Sequence, residues 1–403
     1  MAGSPHGVAE PGGTLDLRFL ETDDAVLVPL LRDAIRARGP VTFAWFMEQA
    51  LYHPAHGYYS SGRAALGRGG DYFTSVSVGP LFGQLLAAQF VEMWERLGRS
   101  DDFSIVEQGA HGGEFAHDVL SAIQENHPDF FAALRYQIIE PFPVLRERQT
   151  TKLAAFADKI SWHPSIADLP RFRGVHFSNE LLDAQPVHLV RWTGKEWRER
   201  HVTESDSALA FVDLPLSDPR LEERLRLVPR SLPAGYETEI NLAALAWIES
   251  VAPPLTAGFV LAADYGWPCA EYYARERSKG TLRCYARHQV VPSPLADPGH
   301  ADITAHVEWT SLAERALASG FTLAGFTDQH HFLTGLLAGD RGELLVAVAD
   351  AKTKCALQTL LPPQHLGMKF QFLCLAKNVP SAAPLAGLRF ARNPTAALGL
   401  ESD

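Results

Sequence analysis

Cysteine is scarce in this chain, four residues among 403, and Cys269, Cys284, Cys355 and Cys374 form no C-x-x-C pair. That spacing excludes a cysteine zinc site and suits thiols that stay reduced. Basic charge is short as well. Lys and Arg number 36 against 47 Asp and Glu, a formal net charge of −11, so the basic stripe with which proteins grip nucleic-acid phosphates is missing. A cationic partner suits the chain better. No apolar run approaches the length of a membrane span. The opening "MAGSPHGVAEPGGTLDLRF" lacks both the apolar core of a signal peptide and the arginines of a mitochondrial transit segment, so the cytoplasm is the expected compartment. Three enzyme signatures are absent too: the G-x-S-x-G elbow, the G-x-x-x-x-G-K-[ST] loop and H-E-x-x-H. The commonest hydrolase and nucleotide-triphosphatase chemistries go with them. The 16 histidines do not point to a metal either, since Pro54 interrupts His53 and His56, and His330 and His331 have no carboxylate at ligand spacing.

What the chain has is apolar content: 46% hydrophobic and 21% charged residues can bury a large core, in one decorated domain or two. After a Gly/Pro-rich tail, "DDAVLVPLLRDAIRARG" has apolar residues at helical spacing. "VTFAWFMEQALYHP" predicts a second helix, capped by Thr42 and ended before Pro54. "GYYSSGRAALGRGGDYFTS" is too rich in glycine for regular structure and too aromatic for a linker, the profile of an ordered functional loop. "GPLFGQLLAAQFVEMWERLG" then returns to a helix. From Phe103 short apolar strands alternate with helices, which predicts a parallel sheet covered by helices. The strands are "FSIVE", "RYQIIE", "ISWH", "VHFSNE" and "GFVLAADYG", with one helix burying Phe115, Val119, Leu120 and Ile123 and another over "PVLRERQTTKLAAF". About seventy residues, roughly 185–255, interrupt this order after Glu180. They include a hairpin, "VHLVRWTGKEWRERHV", turning near Thr193 and Gly194. "FTLAGFT", a helical stretch from about Phe332 to Leu361, and the alternating "MKFQFLCLAK" complete seven strands.

In such a sheet, ligands bind beyond the carboxyl ends of the strands. "SIVEQGAHGGEFAHDVLSAI" runs from strand through a glycine turn into a helix, but Gly109, Ala110, His111, Gly112 and Gly113 do not spell the dinucleotide fingerprint. Glu114 at the helix start would repel a pyrophosphate and tolerate a cationic or neutral ligand. A plain structural turn has the same outline. The strand ends are acidic throughout: Glu107, Glu140 in "IIEPF", Glu180 in "SNELLDAQP" and Asp264 in "AADYG". Glu140 stands where a ribose diol is hydrogen-bonded in the general pattern. Asn179 offers a donor and an acceptor, and Glu180 with Asp183 could hold a guanidinium by charge-assisted bonds. The competing role for Asn179 and Asp183 is capping the next helix.

Long stretches of the chain resemble the MidA-like S-adenosylmethionine-dependent methyltransferases in order and spacing. They are "FMEQALYHPAHGYYSS", "GRGGDYFTSVSVGPLFGQLLA", "FSNELLDAQPVHLV", "ADYGWPCAEYYARERSKGTLRCYARHQVVPSPLADPGHADITAHVEWTSLAE" and "LGMKFQFLCLAKN", and the resemblance spans about residues 25 to 378. Its mitochondrial members are arginine methyltransferases that act as assembly factors of respiratory complex I. The resemblance implies an α/β fold: a class I, Rossmann-like methyltransferase sheet of seven strands with an N-terminal helical extension and an inserted hairpin and helical subdomain. It divides the chain into a tail (1–24), a helical and lid region (25–102), the methyltransferase domain (103–378) and a C-terminal tail (379–403). The implied cofactor is S-adenosyl-L-methionine, held by Glu107, Gly109, His111, Gly113, Glu140 and Asn179, with the loop from Gly70 to Ser75 folded over it through Asp71 and Thr74. Asn179, Glu180 and Asp183 are the implied catalytic residues, and no metal is implied. The partner is a protein with a target arginine, and a homodimer is compatible with this. One position departs from the family, which usually has glycine where this chain has His111; Gly112 replaces a bulkier residue. Two other functions stay open: methyl transfer to a small molecule at the same site, and an assembly scaffold that has kept the fold without turnover.

Overall fold

The alternation that begins at Phe103 folds into one central sheet. The structure, a computed structural model, describes residues 26–63, 75–206, 208–286, 289–338, 350–380 and 383–400. The N-terminal tail over residues 1–24, Asp71, Thr74 and the loop around them lie outside the described residues.

The sheet consists of β1 (Phe103–Gln108), β2 (Leu134–Ile139), β3 (Ile160–His163), β4 (Phe172–Asn179), β5 (Leu255–Trp267), β6 (Thr322–Asp328) and β7 (Phe370–Lys377). Their spatial order is β3-β2-β1-β4-β5-β7-β6. The first five pair in parallel, and β7 runs antiparallel between β5 and β6. The parallel strands read as apolar runs because both faces are covered. Phe103 and Ile105 of β1 enter one apolar layer and Val106 the other, as strand alternation requires. At the ends of β4 and β5 away from the acidic tips, Gly174 and Gly258 lie side by side. A Cβ on Gly174 would stand 1.9 Å from the Ser104 carbonyl, and one on Gly258 1.8 Å from that of Gly174, so only glycine fits this row.

Helices α1 (Leu27–Arg38) and α2 (Phe43–Tyr52) precede the sheet, and Thr42 Oγ1 caps α2 by accepting the Trp45 N–H at 3.2 Å. α3 (Leu81–Arg96) and α4 (Glu114–Asn126) cover one face. The predicted face of α4, Phe115, Val119, Leu120 and Ile123, is fully buried, and Phe115 stacks on Phe177 of β4 with ring centres 4.5 Å apart. α5 (Pro143–Lys152) follows β2. α6 (Leu242–Val251) and α7 (Trp309–Ala318) cover the other face. Among the described residues of the stretch from 332 to 361, expected as helical, lie α8 (Gln329–Leu337) and α9 (Ala351–Leu360), each begun by an aspartate cap, Asp328 and Asp350.

The expected hairpin is present, with Trp192 opposite Trp197. Its strands, His188–Trp192 and Trp197–Ser205, join Ala208–Leu214 and Glu237–Ile240 in a second sheet. Val41–Thr42, just before α2, pairs with the same sheet, so the N-terminal helices and the insertion form one body. That sheet ends at Ile240, and α6 returns to the central one. A third, small sheet holds Arg283–Ala286 between Gln289–Val290 and Asp302–Thr304. Residues 383–400 pack back on the molecule rather than trailing as a tail, with Leu385, Leu388 and Leu398 buried. Among the described residues no helix is long and apolar enough to cross a membrane.

Candidate active site

The glycine turn after β1 reverses the chain within five residues by left-handed backbone at Gly109 (φ +86°), His111 (φ +45°) and Gly113 (φ +87°). Two of the three need glycine for this, and His111 adopts it with a side chain, at a cost of about 1–2 kcal/mol. Gln149 of α5 holds the turn. It is fully buried, and its Nε2 donates both to the His111 carbonyl at 2.9 Å and to Glu140 Oε2 at 2.8 Å. Trp162 Nε1 donates to its Oε1 at 3.0 Å. One amide thus fixes the turn and the acid at the tip of β2 relative to each other. Gln149 belongs to no motif, and nothing in its sequence neighbourhood signals this role.

A cleft of about 370 Å³ opens over these strand ends, walled by Gly109, His111, Glu140, Phe142, Tyr52 and Glu180 among others. Tyr52 forms its aromatic side, stacked on Tyr59 at 5.6 Å and Phe142 at 6.3 Å, with its hydroxyl donating to the Ala184 carbonyl at 3.1 Å. Glu140 also accepts the Phe142 N–H at 3.0 Å, yet burial outweighs both hydrogen bonds and pushes its carboxyl up to about 7. Glu107, Gly113 and Asn179, expected to face the same ligand, are not among the residues that wall it. Glu107 is 3% exposed and takes a hydrogen bond of 2.7 Å from the Tyr136 hydroxyl, and burial pushes it up to about 8. It supports the turn from within.

The tip of β4 carries the second group. Glu180 has left-handed backbone (φ +52°) and donates its N–H to the Ala263 carbonyl of β5 at 3.0 Å. No helix starts here, so Asn179 and Asp183 are not caps. The amides they would have satisfied are taken by Asp264, whose Oδ2 accepts the N–H groups of Leu181, Leu182 and Asp183 at 3.1, 2.8 and 3.2 Å. Its Oδ1 accepts that of Tyr265 at 2.8 Å. Burial still pushes Asp264 up to about 7. Asn179 Nδ2 donates to Glu180 Oε1 at 2.9 Å, while Asn179 Oδ1 is buried without a hydrogen-bond partner.

A second cavity, about 700 Å³, adjoins the first and is lined by Asp183, Asp302, Tyr265, Trp267 and His306. Glu180 and Tyr59 stand on both walls. Burial, then the nearby Asp264, holds Glu180 and Asp183 well above the usual carboxylate range, and Glu180 adds to the effect on Asp183. Acids so crowded gain most from a cation that enters among them. Glu140 and Glu180 stand on the wall of the first cavity, and Glu180, Asp183 and Asp302 on that of the second.

The family model of S-adenosyl-L-methionine-dependent methyltransferases matches residues 85–327. The human protein arginine methyltransferase NDUFAF7, named as mitochondrial, is 28% identical over 409 residues, covering 91% of this chain and 87% of that protein. Its Drosophila melanogaster homologue is 28% identical over 406 residues, covering 90% and 87%. A Burkholderia thailandensis protein solved with S-adenosyl-homocysteine bound has a TM-score of 0.82 and 31% identity, covering 92% of this chain and 96% of that one. The family model matches more than half of the chain and the fold agrees over most of its length, and this chain belongs to the family of S-adenosyl-L-methionine-dependent methyltransferases.

Proposed function

We propose that the chain transfers a methyl group to the guanidinium of a protein arginine. The observation that carries this reading is the position of Glu180, shared by both cavities, with Asp183 on the acceptor side. The names of the animal relatives support it. When bound, S-adenosylmethionine supplies a methyl group already activated on sulfur.

The protein's part is alignment. Glu140 would accept the ribose hydroxyls, and the backbone of Gly109, bare of a side chain, would meet the methionine portion. Asp71 and Thr74 remain proposed contacts from the loop outside the described residues. Asn179, whose Nδ2 donates to Glu180 Oε1, would hold that carboxylate in place. Glu180 and Asp183 would orient the guanidinium; its arrival draws their carboxyls back toward the ionised form, and Glu180, poised high, suits the acceptance of a proton at its carboxylate. The compartment proposed is the cytoplasm, in keeping with four free cysteines.

Incubation with labelled S-adenosylmethionine and a cell extract, followed by mass spectrometry, tests the reading. Label on protein arginine supports it, and label confined to a small metabolite overturns it. Glu180→Gln should abolish transfer to arginine and spare a neutral acceptor. His111, a side chain on the cleft wall at the crowded turn, favours one other reading, a scaffold without turnover. Failure to bind S-adenosyl-homocysteine in calorimetry even at millimolar concentration would decide for the scaffold.

A further inference from the structure

The stretch "GHADITAHVEW" belongs to the sequence resemblance but had no role in it. In the fold, Asp302 and Thr304 stand two residues apart on one side of a short strand, and both, with His306, line the 700 Å³ cavity. Asp302 is 4% exposed, and its Oδ1 accepts a hydrogen bond of 2.7 Å from the Tyr59 hydroxyl. Tyr59 is on the wall of both cavities and stacks on Tyr52 with the rings 22° from parallel. We propose that Asp302 is a specificity-determining contact for the cationic acceptor, and that Tyr59 is the positioning residue that holds its carboxylate at the boundary between the two cavities. The proposal rests on the arginine reading above.

The chemistry of a guanidinium fits a third carboxylate. It carries N–H donors in a planar fork and can bond carboxylates on more than one side. The charge of Asp302 already reaches Glu180 and Asp183, adding to what holds both carboxyls high. His306 adds no charge of its own, because burial, then Arg277 and Arg283, pushes it down to about 4; the cations on the wall are Arg283 and Lys369, set against Glu180, Asp183 and Asp302. It stacks on Trp267 at 4.3 Å and 12°, and the Arg277 guanidinium lies over the same indole at 3.7 Å, so the ring pair is held in place on the cavity wall. Tyr59 can do for Asp302 what Asn179 does for Glu180: a hydrogen bond from a neighbouring side chain fixes one carboxylate oxygen.

The test uses two probes, N-acetyl-arginine amide and N-acetyl-citrulline amide, which differ in charge and little in shape. Each is titrated by calorimetry into full-length protein saturated with S-adenosyl-homocysteine. The wild type is expected to prefer the arginine probe. Asp302→Asn should lower arginine affinity about tenfold or more and leave citrulline binding unchanged, the loss of one charge-assisted bond. Tyr59→Phe, which removes a hydroxyl and keeps the ring stack, should lower the preference about threefold, and it remains a test if the Asn variant does not fold. Wild-type preference retained by both variants overturns the proposal and leaves the arginine reading standing. No preference in the wild type overturns both.

Discussion

At the scale of single residues, two side chains at the cofactor cleft make opposite predictions. His111 holds left-handed backbone with a side chain on the cleft wall. His111→Gly removes that strain and opens the turn, so affinity for S-adenosyl-homocysteine is expected to stay or tighten in calorimetry, with at most about 1 kcal/mol lost to added chain freedom. Glu140 behaves otherwise. Its carboxyl is raised to about 7 by burial, and ribose hydroxyls that donate to it favour the ionised form. The ligand therefore binds the deprotonated protein better, and affinity should climb by up to about tenfold per pH unit below 7 and level off above it. Glu140→Gln should flatten that climb; an unchanged pH profile in the variant would remove Glu140 from the ribose.

Among elements, the turn from Glu180 to Asp183 depends on a strand that follows it eighty residues later. Asp264 receives four N–H groups on two oxygens, and no helix dipole or side-chain cap shares the task. Asp264→Ala leaves those buried donors without an acceptor, and about 3 kcal/mol or more of stability should be lost in urea denaturation, with methyl transfer lost as well. Asp264→Asn should cost less stability, since one oxygen remains. This clamp also marks where sequence reading stops. The strands were legible because two-sided burial makes them apolar runs, and α4 because its buried face repeats at helical spacing. Glu140, Asn179, Glu180 and Asp183 could be proposed from the sequence because strand tips are where ligands meet such a sheet. Gln149, Tyr59 and Asp302 could not be, since their roles arise from contacts through space; Tyr59 and its partner are 243 residues apart. Glu107 was misplaced for the same reason, because only the fold reveals that Tyr136 seals it away from the cleft.

On the scale of the whole molecule, buried acids leave a signature in stability. Glu107 is raised to about 8, and Glu140 and Asp264 to about 7. Each binds its proton more tightly folded than unfolded, so its contribution is full below the unfolded value near 4 and is lost as pH rises through the folded one. Tm is therefore expected to fall between pH 6 and pH 8.5, by roughly 1 kcal/mol of stability per pH unit for each group still titrating. Glu107→Gln keeps an acceptor for Tyr136 and removes one titration, so its Tm should fall less steeply over the same range. Equal slopes in a pH series of thermal melts would assign the dependence elsewhere.

Glu180, standing on both cavity walls, would on the proposed function be answerable to two ligands, and its single charge could not serve both in full. A sulfonium on one side and a guanidinium on the other would compete for it, whereas the demethylated cofactor carries no sulfonium charge and would leave the carboxylate to the acceptor alone. The arginine probe should then bind more tightly beside S-adenosyl-homocysteine than beside S-adenosylmethionine. By reciprocity the acceptor should tighten the spent cofactor by the same factor. The enzyme would grip its products harder than its reactants, and turnover would be limited by their departure.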